Sequence, residues 1–238
     1  MARGGPDFGA IGPRVLGAPA LDPGELAVRL GSPVALDRLG NVLLMASGGE
    51  LVRWASEALG SATVDAVPLP SLGFGYAARL FTSANLDKAA VNLYAPNISA
   101  GGIGVEAVWT PLDLGDARPR TGMVVDDGTN RMFAGVRWNP STGDYETEDD
   151  TGTWVAAPVQ PADLATQLWQ SWKVVIDPAT QTFIRVLING LDIGVSGDAL
   201  QVVASTNPRI NTHFTVDGFG ATDWLGYLAA LITTVNEI

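Results

Sequence analysis

Apolar and polar residues alternate along much of the chain, most clearly between Trp169 and Gly197. Trp172, Val174 and Ile176 alternate with Lys173 and Asp177, the period-2 pattern of a half-buried strand. Asp177-Pro178-Ala179-Thr180 reads as a turn, with proline fixing φ at its second position. Phe183 to Ile188 is rich in β-branched residues, and Asn189-Gly190 is the pair that tight hairpin turns with positive φ favour. Leu191, Ile193 and Val195 continue the alternation, so the segment predicts a three-stranded antiparallel meander.

Similar patterns recur upstream. Short strands are predicted over 41–45, 63–67, 75–82, 89–95 and 104–109, with a short element over 51–55 carrying Trp54. Residues 121–125 and 131–138 flank Asp126-Asp127-Gly128-Thr129-Asn130 as a hairpin, and 145–150 and 153–156 flank Thr151-Gly152 as another. Strands over 201–205, 211–216 and 224–236 follow the meander. Pro161 to Trp169 is the best helix candidate in this region, and Glu25 to Leu30 predicts one helical turn. A dozen or so short strands with turns every eight to twelve residues predict an all-β, antiparallel sandwich or barrel.

Composition sharpens the picture at the N-terminus. Met1 to Gly24 holds six glycines and four prolines, too many for a packed element of its own. Residues 1–36 are therefore expected to form an extended arm ordered by another chain or a neighbouring surface. Residues 37–238 are expected to form the sandwich. The first twenty residues lack the continuous apolar stretch of a secretory signal, which predicts a protein not exported by that route.

Charged residues make up 16% of the chain and the formal net charge is −11, which disfavours nucleic acid and anionic membrane as partners. There is no cysteine, so disulfides and thiolate chemistry are excluded. His213 is the only histidine, which rules out a metal site built on histidine pairs, and it reads as a polar strand residue. No phosphate-cradling glycine loop and no nucleophile-elbow serine appear.

The tryptophan-led strand Trp172-Lys173-Val174-Val175-Ile176-Asp177, its turn and the strand ending at Asn189-Gly190 resemble the closing elements of concanavalin A-like and laminin G-like jelly rolls. An early strand-then-tryptophan segment, Asn41 to Trp54, and a final strand, Gly226 to Thr234, extend the resemblance over roughly residues 37 to 238. The resemblance implies an antiparallel jelly-roll β-sandwich whose first and last strands lie side by side. It also implies a calcium site at their junction, with acidic ligands from both strands. This chain has Met45-Ala46-Ser47 and Leu228-Ala229-Ala230-Leu231 at those places. A hard cation needs six to eight oxygen ligands, so no structural calcium is expected there.

Glu146, Glu148, Asp149 and Asp150 are the densest acidic cluster. Some glycoside hydrolases of this fold carry two carboxylates about 5 Å apart on one face of a strand. Here the run enters the Thr151-Gly152 turn, and solvated carboxylates with ordinary pKa values are expected. Asp126-Asp127-Gly128 is expected to serve as turn chemistry. Asn97-Ile98-Ser99 fits a glycosylation acceptor. Of the seven tryptophans and four tyrosines, Trp138 and Trp172 alternate with core residues, whereas Tyr145 and Trp154 flank the acidic hairpin as a potential sugar-binding surface.

The sequence thus predicts no catalytic, cofactor-binding or metal-binding residue. The leading expectation is a non-enzymatic structural protein of a virus or phage particle, a capsid decoration or tail subunit, located on a virion or an extracellular surface. It would associate with itself or with neighbouring subunits through its N-terminal arm. The alternative is a carbohydrate-binding, lectin-like module with glycans as its partners.

Overall fold

The structure is a computed structural model that describes residues 41–47, 50, 52, 56–69, 75–83, 87–96, 101–113, 115–162, 164–218 and 223–237. The proposed arm, Glu25 to Leu30, Trp54 and Asn97-Ile98-Ser99 lie outside the described residues. Among the described residues, sixteen strands make two antiparallel sheets packed as a β-sandwich.

The first sheet contains β1 (Asn41–Ser47), β3 (Thr63–Leu69), β4 (Gly75–Thr82), β6 (Gly102–Pro111), β11 (Gln170–Asp177), β12 (Thr182–Ile188), β13 (Leu191–Asp192) and β16 (Trp224–Glu237). Its order is β13-β12-β11-β6-β16-β4-β3, with β1 also paired to β16. The second sheet contains β2 (Ser56–Leu59), β5 (Lys88–Pro96), β7 (Ala117–Asp126), β8 (Asn130–Asn139), β9 (Asp144–Glu148), β10 (Trp154–Ala156), β14 (Gln201–Ala204) and β15 (Arg209–Gly218). Its order is β10-β9-β8-β7-β15-β5-β2, with β14 also on β8.

The meander forms as its alternation predicts. Trp172, Val174 and Ile176 are fully buried between the sheets, and Asn189 and Gly190 take φ of 52° and 82°, the positive values of a tight hairpin. Asp177 accepts a hydrogen bond from the Ala179 amide at 2.9 Å, which pins the preceding turn. The third strand is shorter than its pattern suggests. It stops at Asp192 because Gly194 and Gly197 adopt φ of 79° and 88° and bend the chain, although Ile193 and Val195 remain buried.

No helix forms between Pro161 and Trp169 among the described residues. Gln167 has a positive φ of 62° and its amide donates to the Pro111 carbonyl at 2.7 Å, a bond to another strand instead of to a helical turn. Leu164 is buried while Leu168 is exposed, so the apolar residues of this segment anchor a loop.

Aromatic rings fill the centre of the sandwich. Trp109 meets Trp172 edge-on at 4.8 Å and packs against Phe214 at 5.1 Å; Tyr145 meets Trp138 at 5.0 Å and Trp172 at 5.7 Å. Such offset and edge contacts add to the burial energy of large rings. One polar contact crosses the core, between the Thr212 and Thr233 hydroxyls at 2.7 Å. The first and last strands pair as the jelly-roll resemblance implies, with Ala46 opposite Leu231 and Ser47 opposite Ala230. Ala46, Ala229 and Ala230 are buried.

Candidate functional site

Strand alternation divides the second sheet into a core face and an outer face. On β7, Ala117, Met123 and Val125 belong to the core, so Arg118, Arg120, Gly122 and Val124 face outward. On β8, Met132, Ala134, Val136 and Trp138 point inward and Arg131, Phe133, Gly135 and Arg137 outward. On β15, Ile210, Phe214 and Val216 are core, leaving Arg209, Asn211 and His213 outside. With Lys88 of β5, six of the nine Lys and Arg among the described residues stand on this one face. They face Glu57, Asp126, Asp144, Glu146, Glu148 and Asp217 of the same face, so it is nearly neutral despite the net charge of −11.

A depression of about 300 Å³ lies here. Gly135 on β8 lines it, and Gly122 stands directly opposite Gly135 on β7. Without side chains at these positions, the His213 ring approaches Gly122 and the Trp154 indole approaches Gly135. Val124, Phe133 and Gln201 line one flank, while Arg120 and Glu148 supply charge.

Trp154 is held from behind. The Arg137 guanidinium lies 4.5 Å from the indole centroid and that of Arg120 lies 5.9 Å away, both within cation–π reach. Trp154 and Arg120 line the depression, and Arg137 does not. Arg137 is itself fixed by donating from Nε to Glu146 Oε2 at 2.6 Å, and Asn139 Nδ2 donates to the other carboxylate oxygen at 2.8 Å.

These contacts correct the expectation of a solvated acidic hairpin. Glu146 is buried and engaged through both oxygens, because register places it opposite Arg137. Glu148 is half-buried, and that burial pushes its carboxyl above the usual range, opposed by Arg120 and Arg137. Only Asp149 and Asp150 occupy the turn. Asp149 accepts from the Thr151 and Thr153 amides, which hold it below the usual carboxylate range together with the Thr151 hydroxyl. Tyr145 is also corrected: it points into the core and is 1% exposed, so Trp154 alone of that pair reaches the outer face.

His213 lies in β15 as a strand residue, half-buried. Burial pushes its imidazole down to about 3, assisted by the positive charges of Arg120 and Lys88. It is a neutral hydrogen-bonding group at ordinary pH. Among the buried polar atoms of this face, Arg120 Nε, Arg209 Nε and Asn211 Oδ1 have no hydrogen-bond partner. Asp126 does turn work, accepting from the Gly128 amide, Arg131 and the Ser205 hydroxyl. Among the described residues no group of three or more His, Cys, Asp or Glu is arranged to hold a metal ion.

Chemically, an indole beside neutral and charged hydrogen-bonding groups suits a ligand with apolar C–H faces and many hydroxyls. The paired carboxylates that glycoside hydrolysis uses are not both available, since Glu146 is engaged by Arg137 and Asn139. Gly122 and Gly135 carry no chemistry that a sequence shows; their cross-strand pairing is what lets the His213 and Trp154 rings come in over the sheet.

No protein-family model and no curated protein matches this chain. Solved structures do. A carbohydrate esterase from Shiga toxin-encoding bacteriophage phi24B superposes with a TM-score of 0.53 at 13% identity, over 83% of this chain and 99% of that one. An endo-β-1,4-glucuronan lyase from the fungus Trichoderma reesei gives 0.51 at 8% identity, over 82% and 96%. The fold is a concanavalin A-like jelly roll. At these identities the likeness concerns the fold, and the outer-face residues carry the functional argument.

Proposed function

We propose that this jelly roll is a non-enzymatic carbohydrate-binding protein that takes a sugar ring into the depression on the outer face of its second sheet. The observation that carries the reading is Trp154, whose indole lines the depression beside Gly135 with the Arg137 guanidinium over its ring. A pyranose ring would stack on this indole. Its hydroxyls would reach Arg120, Glu148, Gln201 and His213, which line the same space. The carbohydrate chemistry named for the two similar structures fits this reading at the level of fold.

A glycan array probed with the purified full chain tests it. Binding to at least one glycan class, abolished by Trp154→Ala with an unchanged melting temperature, is expected. Binding that survives Trp154→Ala would move the site elsewhere. Turnover of a bound glycan would show that the protein is an enzyme. The role of particle subunit rests on residues 1–36, outside the described residues, and native mass with and without them is its test.

A further inference from the structure

The depression at Trp154 is one end of a longer track. Register places Asn92, His213, Gly122 and Gly135 in one row across β5, β15, β7 and β8. Glu148 follows one step beyond the Val136–Thr147 pair, and Trp154 is directly opposite Glu148. The row therefore crosses five inter-strand gaps, about 24 Å at roughly 4.8 Å each. At its middle Gly122 and Gly135 carry no side chain, and the His213 and Trp154 rings lean over those two positions.

At the far end stands Tyr94. Its neighbours Leu93 and Ala95 belong to the core, so Tyr94 shares the outer face, and it is 58% exposed. It pairs with Asn211, whose buried Oδ1 has no hydrogen-bond partner. An exposed ring beside an unsatisfied buried acceptor repeats, at the opposite end of the row, the combination of aromatic and polar groups found at Trp154.

Resting on the glycan-binding reading above, we propose that the ligand is an internal stretch of a linear polysaccharide lying across the strands, with Trp154 and Tyr94 as the terminal platforms. A single terminal sugar would fill only the Trp154 end. A straight chain engages both rings, and Asn92, His213 and Asn211 address its hydroxyls between them.

The test uses the full chain and linear β-1,4-linked glucan, xylan, mannan and glucuronan oligosaccharides, each from disaccharide to hexasaccharide. For the class that binds, affinity should keep rising beyond the trisaccharide. Tyr94→Ala should lower hexasaccharide affinity about tenfold, the size of one lost aromatic contact, and leave the disaccharide unaffected. Tyr94→Phe should retain the ring and the affinity, and Trp154→Ala should remove binding at every length. Affinity that saturates at the disaccharide, or a hexasaccharide indifferent to Tyr94→Ala, overturns the extended track while leaving the Trp154 site standing. Binding of none of these series in the wild type overturns the track, and failure on the wider array as well overturns the glycan reading itself.

Discussion

Gly122 and Gly135 stand opposite each other in the β7–β8 ladder, and neither has free room for a β-carbon. A Cβ on Gly135 would lie 3.2 Å from Trp154 Cη2 and 3.3 Å from the Thr121 carbonyl oxygen. A Cβ on Gly122 would lie 2.7 Å from the Ala134 carbonyl oxygen and 3.0 Å from His213 Nε2. The indole can tilt away, whereas a backbone oxygen within a ladder cannot. Gly135→Ala should therefore fold and lose about tenfold in glycan affinity by displacing the Trp154 platform. Gly122→Ala should lower the melting temperature more. Equal binding by Gly135→Ala and the wild type would show that the ring position does not set affinity.

Trp172 is fully buried and touches both Trp109 and Tyr145. Trp172→Ala removes those contacts and leaves a cavity between the sheets, at a cost of about 3–5 kcal/mol. Denaturant unfolding measures this directly, and a change below about 1 kcal/mol would mean that the core closes over the gap.

The way sequence pattern translated into structure follows from what alternation encodes. Period-2 patterning located the strands and the inward facing of Trp138 and Trp172, because one face of each strand must leave water. Asn189-Gly190 located a hairpin because its backbone conformation is local. Facing between strands was not legible in the same way. Glu146 looked solvated until the β8–β9 register set it opposite Arg137, and Tyr145 looked like a surface ring until parity on β9 turned it inward. Gly122 and Gly135 are thirteen residues apart, and only pairing sets them side by side. Pro161 to Trp169 carried helix-forming residues, but a cross-strand bond from Gln167 to Pro111 decided its path.

A buried ionic cluster lies on the first sheet. Glu237 accepts from Arg185 Nη2 at 2.6 Å and lies 2.7 Å from Lys173 Nζ, and the Thr234 hydroxyl donates to it as well. Glu237→Ala takes the shared carboxylate from two buried cations, so a loss of about 3–5 kcal/mol is expected. Lys173→Met should cost less, since Arg185 still pairs with the carboxylate. If the two variants melt alike, Arg185 and Thr234 contribute little to holding Glu237.

The junction of β1 and β16 offers alanines where the jelly-roll resemblance implies acidic ligands. Ala46, Ala229 and Ala230 are buried there, so the strands are joined by ladder hydrogen bonds and small-residue packing. Melting should be the same with and without excess EDTA, and protein purified without chelator should carry no stoichiometric calcium. A melting point that falls several degrees on chelation would place a cation ligand set elsewhere on the chain.

His213 makes a pH prediction whose sign can be worked out. In the unfolded chain its imidazole titrates near 6.5, while in the fold it is pushed down to about 3 by burial and by Arg120 and Lys88. Between those values the unfolded state carries a proton that the folded state refuses, so stability is full above about pH 6.5 and falls as pH drops toward 3. Its slope is at most of order 1 kcal/mol per pH unit, reduced because the ring is only half-buried. Glu148 opposes this in part. Its raised pKa means that the fold takes up a proton before the unfolded chain does, relieving a penalty just above the ordinary carboxylate range. Asp126 and Asp149, both held below that range, add to the acid loss only at lower pH. The decline that begins near pH 6.5 is the part that His213 contributes. Melting curves of His213→Gln should be flat there while the wild type declines, and a wild-type decline that persists in the variant would assign it to another group.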